Sequence, residues 1–250
     1  MKITATFKFI AVFMATVAIA GCGCGNGQPY QPTPTATPTA AEPTPTQTHN
    51  GTTAELPDTY RYSIHFADQG GMTATVGTWV KGDKLRSDYS ITPPEEDTDT
   101  TVFIGDGQFD WVYDPDENRV TKYNRGAGVN PAAYYSQWFT YNYYGAAGDA
   151  AILSALQASC SIDPECRSVE KTGYDTVAGQ ACTVFTMTGN EGRVIEYCIS
   201  AGGYPLRISL TDFGFTSTMT FTDIDLNPDI PESIFDIHSV APGAQIIDNT

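Results

Sequence analysis

The chain has 250 residues and a formal net charge of −16, from 13 Lys and Arg against 29 Asp and Glu. This excess of carboxylates argues against nucleic acid as a partner, because few basic groups are present to neutralise phosphates. It also argues against electrostatic docking on an anionic membrane, so any membrane contact needs another basis.

The N-terminal region predicts export. Lys2 and Lys8 are followed by an apolar run, Phe9–Ala20, which is shorter than the 20 or so residues that span a bilayer and is typical of a signal peptide over residues 1–21. Small residues directly before Cys22 resemble the lipobox of prokaryotic lipoproteins. The resemblance implies cleavage before Cys22 and attachment of diacylglycerol to its thiol. The alternative is an ordinary secretory signal.

Residues 22–57 predict an extended stalk. Thr and Pro alternate there, which favours polyproline II and leaves nothing apolar to bury. At about 3.1 Å per residue the stretch reaches roughly 100 Å when extended. Asn50 begins an Asn-Gly-Thr sequon and is a candidate glycosylation site. We therefore expect an extracytoplasmic domain, held by lipid at the outer face of the cytoplasmic membrane.

The first half of the remaining domain, 58–250, predicts a meander of short strands. Apolar and polar residues alternate in successive segments separated by turn residues, of which Asp106-Gly107 is a strong hairpin signal. The predicted strands are Tyr60–Ala67, Met72–Val80, Leu85–Ile91, Thr100–Gly105, Phe109–Tyr113 and Val120–Tyr123.

The pattern then changes to helical spacing. Asn130-Pro131 is typical of a helix start, and Ala147–Ala158 predicts a second helix. Aromatic residues recur at helical spacing in the first helix: Tyr134, Tyr135, Trp138, Phe139 and Tyr141. Strands resume after Pro164 and end near Phe221–Ile224. Two helices on one face of an antiparallel sheet predict an α+β domain.

Four cysteines in the domain predict two disulfides in an exported protein. Segments 181–188 and 193–200 predict a hairpin around residues 189–192. A three-residue loop within that stretch would place Cys182 directly opposite Cys198, close enough for a disulfide on the outer face. Cys160 and Cys166 then pair by elimination, although four cysteines allow three connectivities. In this register Phe185 faces Ile195, with Ala181, Met187 and Tyr197 on the same core side. No zinc-binding cysteine or histidine pattern is present, and no metal is expected.

Two segments, Val102–Pro115 and Phe221–Phe235, resemble the LolA/LolB superfamily of lipoprotein carriers. In that superfamily a strand ends in an Asn followed by a Pro-x-x-x-Phe turn, as in Asn227 to Phe235. The resemblance covers roughly Asp58 to Asp248. It implies a curved, unclosed β-barrel with two helices on the concave face and acyl chains bound between them. Related carriers open with a helix, whereas here the stalk leads almost directly into the first strand.

A candidate ligand cavity follows from this resemblance and from the aromatic content. Its lining combines aromatic side chains of the sheet and of the first helix: Phe109, Trp111, Tyr113, Tyr135, Trp138 and Phe139. The alternative is that these rings pack against one another as ordinary core.

Catalysis finds no support in the sequence. It contains no Gly-x-Ser-x-Gly elbow, no His-Glu-x-x-His and no phosphate-binding glycine loop, so we predict neither an enzyme nor a cofactor. The predicted function is a membrane-anchored binder of lipid or lipoprotein acyl chains. The alternative is an envelope sensor or protein-interaction module on the same fold.

Overall fold

The computed structural model describes residues 56–125, 139, 141–145 and 147–250. Twelve strands form one curved, unclosed sheet in the order β12-β6-β5-β4-β3-β2-β1-β11-β10-β9-β8-β7. Neighbouring strands are antiparallel, except that β12 runs parallel to β6. The mostly-β class is therefore confirmed. Among the described residues no helix is both long and apolar enough to cross a membrane.

The strands follow the predicted segments closely in the first half of the domain. Their bounds are β1 Thr59–Asp68, β2 Thr73–Lys81, β3 Lys84–Thr92, β4 Asp99–Gly105, β5 Phe109–Asp114, β6 Arg119–Asn124, β7 Cys166–Val177, β8 Gln180–Gly189, β9 Val194–Ser200, β10 Pro205–Asp212, β11 Phe215–Leu226 and β12 Gln245–Asp248. Two helices have described bounds: α1, Asp149–Ile162, and the short α2, Ile237–Val240. Two 3-10 turns cover Asn190–Gly192 and Glu232–Phe235.

The sheet has two faces, because successive side chains of a strand point to opposite sides. Following the pairing register from strand to strand assigns each residue to one face. We name the first the Tyr62 face; it carries Tyr62, Ile64, Val76, Thr78, Ser87, Phe103, Phe185, Tyr197, Ile208 and Phe221. The second is the Trp111 face; it carries Arg61, Trp79, Arg86, Ile104, Trp111, Tyr113, Val120 and Cys198.

Helix α1 packs on the Tyr62 face at the β7 end of the sheet. Ile152 and Leu156 are its buried residues. Asp149 in the first turn accepts hydrogen bonds from Lys171 Nζ at 2.6 Å and from Thr183 Oγ1 at 3.0 Å. The hydrogen bond from Lys171 is the main cause that lowers the pKa of Asp149. These contacts fix the start of α1 to strands β7 and β8.

The Trp111 face is covered at the other end by the C-terminal segment, which we define as residues 230–244. Its apolar side chains form one cluster with Ile104 and Val120, and the partly buried Trp111 and Tyr113 pack against it. Phe235 is 2% exposed in this cluster. Lys81 Nζ donates to the Ile230 carbonyl at 2.8 Å, and Lys84 Nζ donates to Glu232 Oε2 at 2.6 Å. The C-terminal segment therefore covers the Trp111 face of strands β2–β6.

Both predicted disulfides are present, but the predicted register around one of them is wrong. Cys160 pairs with Cys166, and Cys182 pairs with Cys198. Cys182 lies opposite Ser200, and Val184 lies opposite Cys198. The three-residue loop is Asn190–Gly192, because Gly192 supplies the left-handed backbone (φ 82°) that closes it.

The shifted register changes which side chains are buried. Phe185 faces Tyr197 instead of Ile195, and Ala181 is exposed instead of lining the core. The disulfide lies on the face opposite Phe185, as predicted, yet it is buried in a cluster with Val177 and Leu206. Register shifts on β10 and β11 leave Leu206 and Ile224 outside the strict alternation, and both pack around the disulfide.

The second predicted helix is confirmed as α1, which extends to Ile162. The first lies mostly outside the described residues; Phe139 and Tyr141, which the structure does describe, are helical. Helix α2 was not predicted, and Ile237 places it on the Trp111 face.

Candidate binding site on the Tyr62 face

An aromatic stack stands at the centre of the Tyr62 face. The ring of Phe139 is 0% exposed and lies 4.5 Å from the ring of Tyr62, nearly parallel to it at 14°. Its centroid is also 5.9 Å from Tyr60 and 6.0 Å from Phe221. These partners come from β1 and β11, so Phe139 lies across the junction where the two halves of the sheet meet.

A row of hydroxyl groups lies beside this stack, inside an otherwise apolar surface. Tyr62, Thr78 and Ser87 stand opposite one another on β1, β2 and β3. Thr78 and Ser87 are both 0% exposed, and their hydroxyl oxygens are 3.2 Å apart. Burying a hydroxyl without a hydrogen bond costs free energy, so this row is unusual for a plain core.

The Tyr62 hydroxyl is the most isolated member of the row. Its side chain is 2% exposed, and its oxygen has no hydrogen-bond partner among the residues that the structure describes. Burial raises the pKa of Tyr62 above its ordinary value, and the neighbouring Thr78 hydroxyl offsets this only in part, without meeting hydrogen-bond geometry. Tyr62 therefore stays protonated at neutral pH and keeps a proton to donate.

The β7 end of the same face is packed differently. Arg193 is 7% exposed and donates to Glu165 Oε2 at 2.7 Å, while burial raises the pKa of Tyr197 to about 12. A cavity of about 10 Å³ lies here, lined by Asp163, Glu165, Cys166, Met187, Gly189, Arg193 and Ile195. A space of this size holds at most one water molecule and is far too small for an acyl chain.

The structure does not bring the predicted cavity lining together. Phe109, Trp111 and Tyr113 share one side of β5, and pairing of Trp111 with Ile104 places them on the Trp111 face. Trp111 and Tyr113 pack against the C-terminal segment, and Lys122 Nζ lies 3.8 Å from the Phe109 ring centroid. Phe139 contacts the opposite face, so these three side chains form no common lining with it. The cause is strand register, which fixes side-chain direction.

Four predicted sites lie outside the described residues. They are the lining residues Tyr135 and Trp138, the lipidation site Cys22 and the sequon residue Asn50.

Sequence reasoning missed the hydroxyl row, although the signal is present. Thr78 and Ser87 occupy inward positions of two alternating strands, where neighbours such as Val76 and Tyr89 are apolar. A polar residue in an inward series marks either a satisfied core group or a site.

Among the residues that the structure describes, no three His, Cys, Asp or Glu side chains are grouped to hold a metal ion.

A family model described as "Predicted periplasmic protein (DUF2092)" matches residues 72–248. No curated protein matches the sequence.

Several solved structures match at low identity. An uncharacterized conserved protein from Thermus thermophilus is 8% identical with a TM-score of 0.39, over 78% of this chain and 92% of that chain. The MucA/MucB complex of Pseudomonas aeruginosa gives 14% and 0.38, over 71% of this chain and 55% of that chain. The Mycobacterium tuberculosis lipoprotein LppX gives 12% and 0.38, over 70% and 90%. These TM-scores are below 0.5 and support no conclusion about function.

Proposed function

The chain belongs to the DUF2092 family of predicted periplasmic proteins, and on that premise we propose that it is a membrane-tethered extracytoplasmic protein that binds acyl chains of lipids or lipoproteins without catalysing a reaction. The tether in this proposal is the lipid expected on Cys22. Two segments that resemble LolA/LolB carriers, Val102–Pro115 and Phe221–Phe235, favour the same function.

One observation carries the proposal: the Tyr62 face is a broad apolar surface on an unclosed sheet. Buried apolar side chains lie on this face along the neighbouring strands β4-β3-β2-β1-β11-β10-β9-β8, among them Phe103, Val76, Ile64, Phe221, Ile208, Tyr197 and Phe185. A curved sheet that does not close leaves its apolar face to be filled by other groups, and apolar concave sites bind hydrophobic ligands.

The energetics fit an acyl chain. Each methylene group moved from water into an apolar environment contributes about 0.8 kcal/mol. Burying half of a 16-carbon chain against this face therefore supplies about 6 kcal/mol before the costs of association. Rigid aromatic rings of the sheet such as Tyr62 and Phe221 provide this contact at low entropic cost.

The test uses the full chain with Cys22→Ala, which removes the protein's own expected acyl group. Purified protein is titrated with a fluorescently labelled hexadecanoic acid, and gently ionised protein is weighed by mass spectrometry. We expect saturable uptake and co-purified lipid mass. A spectrum without added lipid mass, together with no fluorescence change at micromolar ligand, would overturn the proposal.

A second function, a protein-interaction module, is favoured by the tip of the β10–β11 hairpin. Phe213 is 77% exposed and Phe215 is 47% exposed. Phe213 has a left-handed backbone, φ 48°, which is strained for a bulky residue. A strained aromatic residue with its ring in solvent suits insertion into an apolar pocket of another envelope protein.

A photo-crosslinking residue at position 213 separates the two functions in cells. Position 174 is the matched control, because Tyr174 is 75% exposed on β7. A module predicts one discrete protein adduct at 213 and none at 174. Adducts with lipid, or equal labelling at both positions, would contradict it.

A further inference from the structure

We propose that the hydroxyl row Tyr62–Thr78–Ser87 binds the carbonyl oxygen of a fatty acyl group, so that the site recognises the polar end of its ligand as well as the apolar chain. This inference rests on the proposed function, because it assumes that an acyl chain occupies the Tyr62 face.

Each hydroxyl of the row has one proton to donate and two lone pairs that accept. Three hydroxyl protons are present, and among the described residues they form one hydrogen bond, between Thr78 and Ser87. The Tyr62 oxygen forms none there. The Tyr62 proton is therefore the donor of the row that is left without an acceptor, and a ligand atom that accepts a hydrogen bond would satisfy it.

An acyl carbonyl is a suitable acceptor for the Tyr62 proton. A carbonyl oxygen accepts hydrogen bonds and carries no proton of its own, which suits the unsatisfied hydroxyl proton of Tyr62. An ester or protonated acid is neutral and enters a buried site at far lower cost than an ion. Apolar side chains surround the row, including Val76 at 2% and Phe103 at 7% exposure, so an acyl chain finds contact on either side.

Access of a ligand to the Tyr62 hydroxyl depends on the position of Phe139. The ring of Phe139 lies 4.5 Å from the Tyr62 ring and nearly parallel to it, and both rings are almost fully buried. A ligand carbonyl reaches the Tyr62 oxygen when this ring shifts. Phe139 is held by ring contacts with Tyr60, Tyr62 and Phe221, and the ligand chain replaces these contacts with similar ones.

The experiment uses the full Cys22→Ala chain loaded with N-phenyl-1-naphthylamine as a fluorescent probe. Competitors are hexadecane, methyl hexadecanoate and hexadecanoic acid, which share one chain and differ in the polar end. The ester and the acid distinguish esterified lipid from free fatty acid as the source of the carbonyl. We compare the parent chain with Tyr62→Phe, which keeps the ring and removes the hydroxyl.

We expect the ester to displace the probe better than hexadecane does. Tyr62→Phe should reduce that advantage by roughly three- to tenfold, the value of one buried hydrogen bond, and leave displacement by hexadecane unchanged. The control is Tyr113→Phe on the Trp111 face, which removes a hydroxyl that donates to Asn118 Oδ1 at 3.4 Å. This variant should change neither the advantage of the ester nor the displacement by hexadecane. Thr78→Val provides a second test of the row.

Thermal unfolding of the ligand-free variants completes the test. Removing an unpaired buried hydroxyl should leave the Tm of Tyr62→Phe unchanged or higher. A lower Tm with unchanged competitor ranking would assign the hydroxyl a structural role, for example through a bound water, and overturn the inference. Equal binding of all competitors by the parent chain would also overturn it while the proposed function stands. No probe or competitor binding at all would defeat the proposed function itself.

Discussion

The two faces of the sheet differ in how they are covered and in how their buried polar groups are hydrogen-bonded. On the Trp111 face, the C-terminal segment supplies an apolar cluster that covers Ile104 and Val120. Charged side chains at the edge of this face bind the C-terminal segment. Lys81 and Lys84 form ion pairs with Glu232, and Arg86 Nη1 donates to the Ile234 carbonyl at 3.4 Å. Gly77 permits the ring of Trp79 to lie directly on the strand, since a Cβ there would be 2.9 Å from that ring.

At the centre of the Tyr62 face the described donors and acceptors are not fully matched, whereas Arg193 and Glu165 pair at its β7 end. Phe139 stacks on Tyr62, but the hydroxyl of Tyr62 stays without a described partner. The difference teaches that apolar burial alone does not distinguish core from site. What distinguishes them is whether the buried polar groups are satisfied, because an unsatisfied donor costs free energy that a ligand can recover.

The largest expected effect compares one phenylalanine from each face. Phe139→Ala and Phe235→Ala each remove a ring that is at most 2% exposed, and each should lower the free energy of unfolding by about 3–5 kcal/mol. Chemical denaturation measures this loss. Only Phe139→Ala should also raise probe binding at the Tyr62 face, because it opens space over Tyr62. Equal probe binding by both variants would remove the functional difference between the faces.

The next effect concerns the two disulfides. Cys182–Cys198 closes a separation of 16 residues and Cys160–Cys166 one of 6. Loop-closure entropy predicts losses of about 3 and about 2 kcal/mol when each pair is replaced by Ala. Denaturation of the two double variants tests the order. Since Cys182–Cys198 packs on the side away from Phe185, its loss should leave acyl binding intact; a parallel loss of binding would mean that the faces are coupled.

The smallest effect is a pH dependence at the margin of the Trp111 face. Hydrogen bonds from Lys84 and Lys81 lower the pKa of Glu232 from its ordinary 4.5 to about 2. The stability it contributes is therefore present above about pH 4.5 and is lost as the pH falls toward 2. Glu232→Gln should lower the Tm slightly at pH 7 and have no effect near pH 2. Glu96→Gln in the exposed β3–β4 loop is the control, and an equal Tm change in both variants would contradict a stabilising role for the ion pairs of Glu232 with Lys81 and Lys84.

Much of the fold could be predicted from local signals. Alternation located β1 to β6 to within about two residues, and the turn residues at Asp106-Gly107 marked their hairpin. The site could not be located as well. Phe109, Trp111 and Tyr113 were predicted to share a lining with Phe139, but an aromatic strand gives the same alternation whichever face it presents.

Local patterns along the chain predicted the strands of the first half, a helix at 147–158 that the structure places at Asp149–Ile162, and the observed cysteine pairing among three possible connectivities. Each of these depends on neighbours within a short stretch of chain. Only the tertiary structure decided which side of the sheet each apolar row occupies and that Tyr62, Thr78 and Ser87 form one row. The physical reason is register: pairing between strands fixes side-chain direction across the whole sheet, and a shift of one residue exchanges its faces.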